Sequence, residues 1–408
     1  MKSKNCAALV LKRGREKSVL KGHPWVFSGS VQRVENDPEA GDLIEVRDGK
    51  GETLGFGFYN LASNIRLRMW SRLPAEVEDF DKSLSGRIKR AVDFRKRELA
   101  DLETDSFRLI NSEGDFISGL IVDYFAGRLV IQPLALWVEK HLDTVVDALK
   151  QSLAPELSCR SIKVLVEQDV ARLEKMQLES HVVFGEESDF EQDMEIRENG
   201  IRYSVNLSSG QKTGFFFDQR ENRLLLREVA QGKRVLDLFS YNGGFTLNAM
   251  ESEAAQTVSV DSSEPALESL KKNIELNEFS LPHELRCENV KKHLPQMEEA
   301  GERFDIVICD PPPFARRKDH INSASRVYKD INRRCMKLID DGLLFTFSCS
   351  PHIDSRLFRQ IIFAAALESG RQVQVLRQLG PGIDHPVDVR HLEGEYLSGL
   401  LLRVVAVS

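Results

Sequence analysis

Two apolar, strand-like runs each end in a reactive group: Phe304 to Phe314 reads FDIVICDPPPF, and Leu343 to Ser350 reads LLFTFSCS. The first presents a carboxylate, Asp310, on an acid-Pro-Pro turn, and the second presents a thiol, Cys349. In parallel α/β sheets the active site lies outside the carboxyl ends of the strands, so Asp310 and Cys349 are expected in one crevice. That pair suits methyl transfer to a nucleic-acid base. A free cysteine has a pKa of about 8.5, so the site must favour the thiolate through basic neighbours or a helix N-terminus. Cys309 lies inside the first run and is assigned to the core.

The cofactor is indicated by VLDLFSYNGGF, Val235 to Phe245. A dinucleotide fold needs GxGxxG to bring backbone amides against pyrophosphate, whereas only Gly243 and Gly244 are present and Asp237 precedes the turn. A carboxylate there opposes a phosphate and suits a cation such as S-adenosyl-L-methionine (AdoMet). Phe239, Ser240 and Tyr241 would line the same turn. Asp261, followed by Ser262, ends the next strand and can accept both ribose hydroxyls; Asn289, after the third, can read the adenine edge. The competing role for Asp261 is to cap the helix that follows. Upstream, three aromatics precede Asp218, Gln219 and Arg220, so Phe216, Asp218 and Gln219 read as a ligand wall.

The elements needed to position these groups follow from pattern. From about 200 onward, strand and helix signals alternate as in a doubly wound parallel sheet, and RQVQVLRQL with YLSGLLLRVVAV reads as an antiparallel pair closing one edge. Residues 1–75 show short β segments divided by turns, a small β-barrel. In NIRLRMW, Ile65, Leu67 and Met69 alternate with Arg66, Arg68 and Trp70, which predicts an apolar face and an outward face offering guanidinium groups and a ring to RNA. Residues 76–190 read as an α+β connector ending in GEESDFEQDMEIRENG, an exposed acidic linker, and 191–408 as the catalytic domain.

A net charge of -7 argues against a nucleic-acid partner only until its distribution is considered. Residues 1–75 hold 13 Lys and Arg against 8 Asp and Glu. The stretch from Asp310 to Asp340 holds Arg316, Arg317, Lys318, Arg326, Lys329, Arg333, Arg334 and Lys337 against four acids. Pro312, Phe314, Arg316, Arg317, Lys318 and Lys329 are the expected RNA contacts there, although such runs are usually solvated faces. Six scattered cysteines without CxxC spacing point to a reducing compartment and no metal cluster. The absence of a run near the ~20 apolar residues of a membrane span gives a cytoplasmic reading.

Taken in order, GQKTGFFFDQRENR, DLFSYNGGF, VSVDSS, FDIVICDPPPF, YKDIN, FTFSCS and DHPV…EGEYLSG resemble the bacterial cytosine-5 methyltransferases of 23S ribosomal RNA that carry an N-terminal PUA domain. HPWVFSGSV and GFGFYN resemble the PUA barrel of that family, so the similarity spans essentially the whole chain. The resemblance implies a PUA domain, a central α+β domain and a class I AdoMet-dependent domain. It makes Cys349 the nucleophile, Asp310 the acid of the Asp-Pro-Pro turn, Asp261 the ribose ligand, and Gly243 with Gly244 the AdoMet loop. Carbon 5 of cytosine is a poor nucleophile, so the resemblance implies a Cys349 thiolate added at carbon 6 to push electron density onto it, with Asp310 hydrogen-bonded to N3 and the amino edge to stabilise the adduct. Two positions depart from the pattern: Pro313 stands where the family usually has Lys, and Leu61 replaces a proline. Two rivals remain: a purine-nitrogen methyltransferase using the same turn without a thiol, and a noncatalytic RNA-binding or ribosome-assembly factor on a retained scaffold.

Overall fold

The computed structural model describes residues 7–100, 102–155, 157–207, 214–315 and 317–407. It forms two compact units. The first comprises Met1–Asp193, Asn206–Phe215 and Ile383–Gly394; the second comprises Met194–Val205, Phe216–Gly382 and Glu395–Ser408.

In the first unit, strands β1 (Ala8–Leu11), β2 (Trp25–Phe27), β3 (Val31–Glu35), β4 (Leu43–Arg47), β5 (Thr53–Tyr59) and β6 (Ile65–Ser71) form one sheet in the order β2-β6-β5-β4-β1-β3. A second sheet contains β7 (Ser106–Asn111), β8 (Leu120–Phe125), β9 (Arg128–Pro133), β10 (Ser161–Val164) and β11 (His181–Phe184), ordered β11-β10-β9-β8-β7. The turn joining β8 to β9 places Ala126 and Gly127 at φ 44° and 97°, both left-handed, as a tight two-residue hairpin requires.

The alternation in β6 is present, but its second face is not outward. Leu67 packs with Leu9 and Val26 on one side of the sheet, while Trp70 packs with Phe58 and Trp137 on the other. Both faces are covered, so period-two patterning marks two cores here. Arg68 accordingly is 8% exposed and lies among acids, with Nη1 3.1 Å from Glu113 Oε1 and Nη2 3.6 Å from Glu174 Oε1. The expected RNA-facing surface is therefore corrected for Arg68 and Trp70. Half-buried Arg66 donates to the Asn60 carbonyl, and Trp70 belongs to the core.

The segment Ile383–Gly394 is embedded in this first unit. Arg95 donates to Asp115 and to the Asp384 carbonyl, Asp384 Oδ2 accepts from the Arg108 backbone, and Asn111 donates to the Pro386 carbonyl.

The second unit opens with a hairpin of β12 (Met194–Glu198) and β13 (Ile201–Val205). The exposed-linker reading of the acidic segment is corrected by it. In β12, Met194, Ile196 and Glu198 turn inward while Glu195 and Arg197 turn outward. The fully buried Glu198 carboxylate is gripped by Arg223 through two bonds of 2.7 Å.

The main sheet contains β14 (Arg234–Leu238), β15 (Gln256–Asp261), β16 (His283–Cys287), β17 (Ile306–Cys309), β18 (Asp341–Ser348), β19 (Arg371–Leu379) and β20 (Ser398–Ala406), in the order β16-β15-β14-β17-β18-β20-β19. Strands β14 to β18 run parallel, and β20 pairs antiparallel with both β18 and β19, the edge closure expected from sequence. The chain runs outward from β14 to β16 and then returns to place β17 on the other side of β14. That reversal opens a crevice at the carboxyl ends of β14 and β17. Beneath it lies a core that includes Leu236, Val258, Val307, Cys309 and Leu344; Cys309 is fully buried, as expected.

Candidate active site

Parallel pairing brings the two reactive groups together. Cys309 of β17 lies opposite Thr346 of β18, so the residues just beyond these neighbouring strands emerge side by side. Cys349 Sγ donates to Asp310 Oδ1 at 3.6 Å. Asp310 keeps part of its surface exposed, yet its carboxyl is sunk far enough that desolvation, with the negative charge of Asp218, pushes its pKa up to about 7. An acid with that pKa holds or releases a proton near neutrality, which is what a group exchanging protons with a thiol and a base requires.

The loop after β17 is braced from below. Ser350 Oγ accepts from the Ala315 backbone and lies 3.0 Å from the Tyr328 hydroxyl, and the Tyr328 ring meets Phe314 edge-on at 4.9 Å. Asn332, one turn along, accepts from Thr346 on β18. The YKDIN motif thus supports the site from the helix Ile321–Lys337. Pro312 is exposed and Phe314 is half-buried, with Lys291 Nζ 5.4 Å above its ring.

At the end of β14 the chain takes an unusual path. Phe239, Tyr241 and Gly243 all have positive φ, at 63°, 50° and 90°. The first two are non-glycine residues in a region that costs on the order of 1 kcal/mol or more, so the surrounding bonds must hold them. Phe239 and Ser240 donate to the Val260 carbonyl, Tyr241 to Asp261 Oδ2, and Gly243 to the Ser240 carbonyl. Gly243 lacks room for a Cβ, which would meet Leu270 at 2.1 Å. Gly244 then begins the helix Gly244–Glu251.

The residues around this loop fit AdoMet. Ser240 Oγ is buried with no hydrogen-bond partner, an orphan that a polar ligand would satisfy. Burial, with the negative charges of Asp310 and Asp261, pushes Asp237 up to about 7. Asp237 and Asp310, both costly to ionise, match a ligand bearing an ammonium and a sulfonium. Asp237 reaches the loop indirectly, since its Oδ2 accepts from the backbone and hydroxyl of Thr246. Asp261 also accepts from the Ser263 amide, while the cap of the helix Glu264–Leu276 is Ser263 itself. Phe216 stands edge-on to Tyr241 at 5.5 Å, and Ser262 is exposed.

Several expected contacts are engaged otherwise. Asn289 caps the helix Val290–Glu299 through its side-chain oxygen. Gln219 directs Nε2 to Asp310 Oδ2, and Asp218 Oδ2 accepts from the Tyr396 hydroxyl, so both serve protein partners. The basic run after Asp310 is largely an ion-paired helix face: Lys329 bonds Glu368, Arg333 bonds Asp330, and Arg334 and Lys337 bond Glu298. Arg317, Lys318 and Arg326 are exposed, and Arg316 lies outside the described residues. Sequence reasoning missed Thr246, Asn222 and Ser350. Thr246 follows the glycine turn and Ser350 follows the thiol, so adjacency was the available signal.

Among the described residues no group of His, Cys, Asp and Glu is placed to hold a metal, and no helix is long and apolar enough to cross a membrane.

Comparison with known proteins agrees with this fold. Residues 9–72 match a family model described as a PUA-like domain, and residues 117–368 match one described as S-adenosylmethionine-dependent methyltransferase. The chain is 40% identical over 401 residues to ribosomal RNA large subunit methyltransferase I of Escherichia coli strain K12, covering 97% of this chain and 99% of that one. The protein of the same name from strain O157:H7 is 39% identical over the same coverage. Among solved structures, the methyltransferase SMU.776 complexed with SAH superposes with a TM-score of 0.83 at 23% identity, covering 97% of this chain and 99% of that one. A SAM-dependent methyltransferase from Streptococcus mutans gives 0.80 at 22%, with the same coverage. These two likenesses establish the fold. The identity carried across nearly the full length establishes more: the chain belongs to the family of ribosomal RNA large subunit methyltransferase I, AdoMet-dependent methyltransferases that carry a PUA-like domain.

Proposed function

We propose that this enzyme forms 5-methylcytidine in large-subunit ribosomal RNA, 23S rRNA in bacteria, through a Cys349 adduct at carbon 6 of cytosine. The substrate class rests on the relatives named for large-subunit rRNA. The observation that carries the chemistry is the 3.6 Å contact between Cys349 Sγ and Asp310 Oδ1 at the ends of adjacent parallel strands.

Asp310 takes the thiol proton on Oδ1 and becomes a carboxylic acid aimed at N3 of the base. The Cys349 sulfur lone pair forms the bond to carbon 6, the π pair moves toward carbon 5 and the C4–N3 unit, and Asp310 gives its proton to N3. Bound AdoMet supplies the methyl group, carried on a positively charged sulfur that leaves as a neutral thioether. Loss of the carbon 5 proton to a base restores the double bond and expels the Cys349 thiolate, while N3 returns its proton to Asp310, from which the thiolate recovers it.

Asp237, Ser240, the Gly243–Gly244 turn and Asp261 are proposed to hold the cofactor, with Phe216 and Tyr241 forming an aromatic wall. Residues 1–75 are proposed to supply RNA affinity, 76–190 to form the central α+β domain, and 191–408 to do the chemistry. Mass spectrometry of rRNA nucleosides from a strain lacking the gene tests the reading. One missing 5-methylcytidine in the large subunit is expected, whereas a missing N-methylpurine would replace this reading with a thiol-independent one.

A further inference from the structure

We propose that Asn222 and Gln219 are positioning residues, forming a polar relay that aims Asp310 Oδ1 at Cys349 by occupying Oδ2. Gln219 Nε2 donates to Asp310 Oδ2 at 3.0 Å, and Gln219 Oε1 accepts from Asn222 Nδ2 at 2.6 Å. The same Asn222 nitrogen donates to the Gly380 carbonyl at 2.9 Å. Gln219 and Asn222 are only 3% and 4% exposed, so water is a poor substitute for these partners.

The direction of the relay is dictated by its anchored end. A backbone carbonyl carries no hydrogen, so only the amide nitrogen of Asn222 can face Gly380. Its second hydrogen then faces Gln219, which must present oxygen there and nitrogen to Asp310. Neither amide can turn over without setting two acceptors or two donors against each other in a buried place. With Oδ2 receiving an N–H, the proton that Asp310 shares with the thiol is confined to Oδ1, the oxygen 3.6 Å from Cys349.

The anchor is itself fixed. The Gly382 amide donates to the Asp218 carbonyl at 2.9 Å, and the Tyr396 hydroxyl donates to Asp218 Oδ2 at 2.7 Å. The chain leaving β19 and the chain entering β20 therefore both hold the short turn Phe217–Gln219 from which the relay starts. The helix Arg220–Val229 completes it, because Asn222 lies in its first turn, three residues after Gln219.

This inference rests on the role proposed above for Asp310, and its test separates the two. The charged and titratable groups facing Asp310 are Asp218, Asp237, Arg223, Cys309 and Cys349, and Arg223 is already paired with Glu198. The Gln219 bond favours the ionised carboxylate, so its loss moves Asp310 to release its proton at higher pH.

The experiment measures single-turnover methylation of rRNA from a strain lacking the gene, across pH, for wild type, Gln219→Leu, Asn222→Leu and the double variant, with AdoMet affinity by calorimetry as the check of folding. The expected result is an acid limb displaced upward by roughly half to one pH unit in each single variant. A rate lower by roughly 10- to 100-fold should accompany it, with RNA KM unchanged. The double variant should shift no further than Gln219→Leu alone, because both act through one bond. If Asn222→Leu does not fold, Asn222→Asp replaces it. An unmoved limb, additive shifts, or lost AdoMet affinity with an unmoved limb would overturn the relay; the last would return Gln219 to the cofactor pocket. Identifying the methylated nucleoside in the same reactions tests the cytosine reading by itself, since the limb reports Asp310 whichever base is modified.

Discussion

Asp310 and Cys349 end neighbouring parallel strands, and the thiol of one lies 3.6 Å from the carboxylate of the other. Cys309, one residue before Asp310, is fully buried, and its thiol pKa is raised well above the usual value by the adjoining Cys335 thiol and by burial. Two cysteines near one aspartate thus have opposite fates: Cys309 is the last residue of β17 and packs in the core, whereas Cys349 lies just beyond the end of β18 and is half-buried.

Cys349→Ala should abolish methyl transfer while AdoMet affinity stays within about twofold, since the thiol activates the base and holds no cofactor group. Cys309→Ala should remain active, with a packing loss of about 1 kcal/mol. The wild-type enzyme should trap RNA containing 5-fluorocytosine as a covalent adduct, visible as a shifted band on a denaturing gel. Robust transfer by Cys349→Ala would end the thiolate mechanism.

Cofactor binding should release protons near neutral pH. Asp237 and Asp310 titrate at about 7, and a cation placed among them stabilises their ionised forms and lowers both values. Calorimetry at pH 6.5 in buffers of different ionisation enthalpy reads the number released, and a value of zero would argue against cationic ligation by these acids. Asp261→Ala should weaken AdoMet binding by about 2–5 kcal/mol if both ribose bonds are lost.

The contribution of Asp237 to stability without ligand should fall as pH rises. Asp237 is raised from 3.8 to about 7 by burial, so the folded protein binds more protons than the unfolded chain between those values. The neutral form is favoured on folding, and the cost of ionising it accumulates from about pH 4 to about pH 7 and persists above. Asp237→Asn can still accept both Thr246 bonds and carries no charge, so its unfolding midpoint should change less between pH 5.5 and pH 8 than that of wild type. Equal pH slopes would show that Asp237 is not the source.

Arg68→Ala should destabilise the first unit by about 3–5 kcal/mol, because it leaves Glu113 and Glu174 buried without their cation. Arg66→Ala, at a half-buried site, should cost well under that and is the usable probe of RNA affinity. Deleting residues 1–75 would also remove Phe58, which stacks on Trp137 at 4.8 Å, so the truncated chain should lose folding cooperativity in thermal unfolding. A cooperative transition at the wild-type midpoint would refute that.

Asp310, Cys349, Asp237 and the Gly243–Gly244 turn were legible from linear order, since strand ends and turns are local and each reactive group follows its own apolar run. The doubly wound order and its antiparallel edge were legible for the same reason: alternating apolar runs and helix-length segments are short-range signals. Tertiary structure alone decided what depends on partners far along the chain. Whether the polar-looking face of β6 meets water depends on Phe58, Trp137 and Glu174 covering it. Whether Glu198 is linker or core depends on Arg223 reaching it. The orientation of Asp310 depends on a Gly380 carbonyl that no local pattern connects to it. Buried charges and amides are tolerated only when satisfied, and satisfaction belongs to pairs brought together by folding.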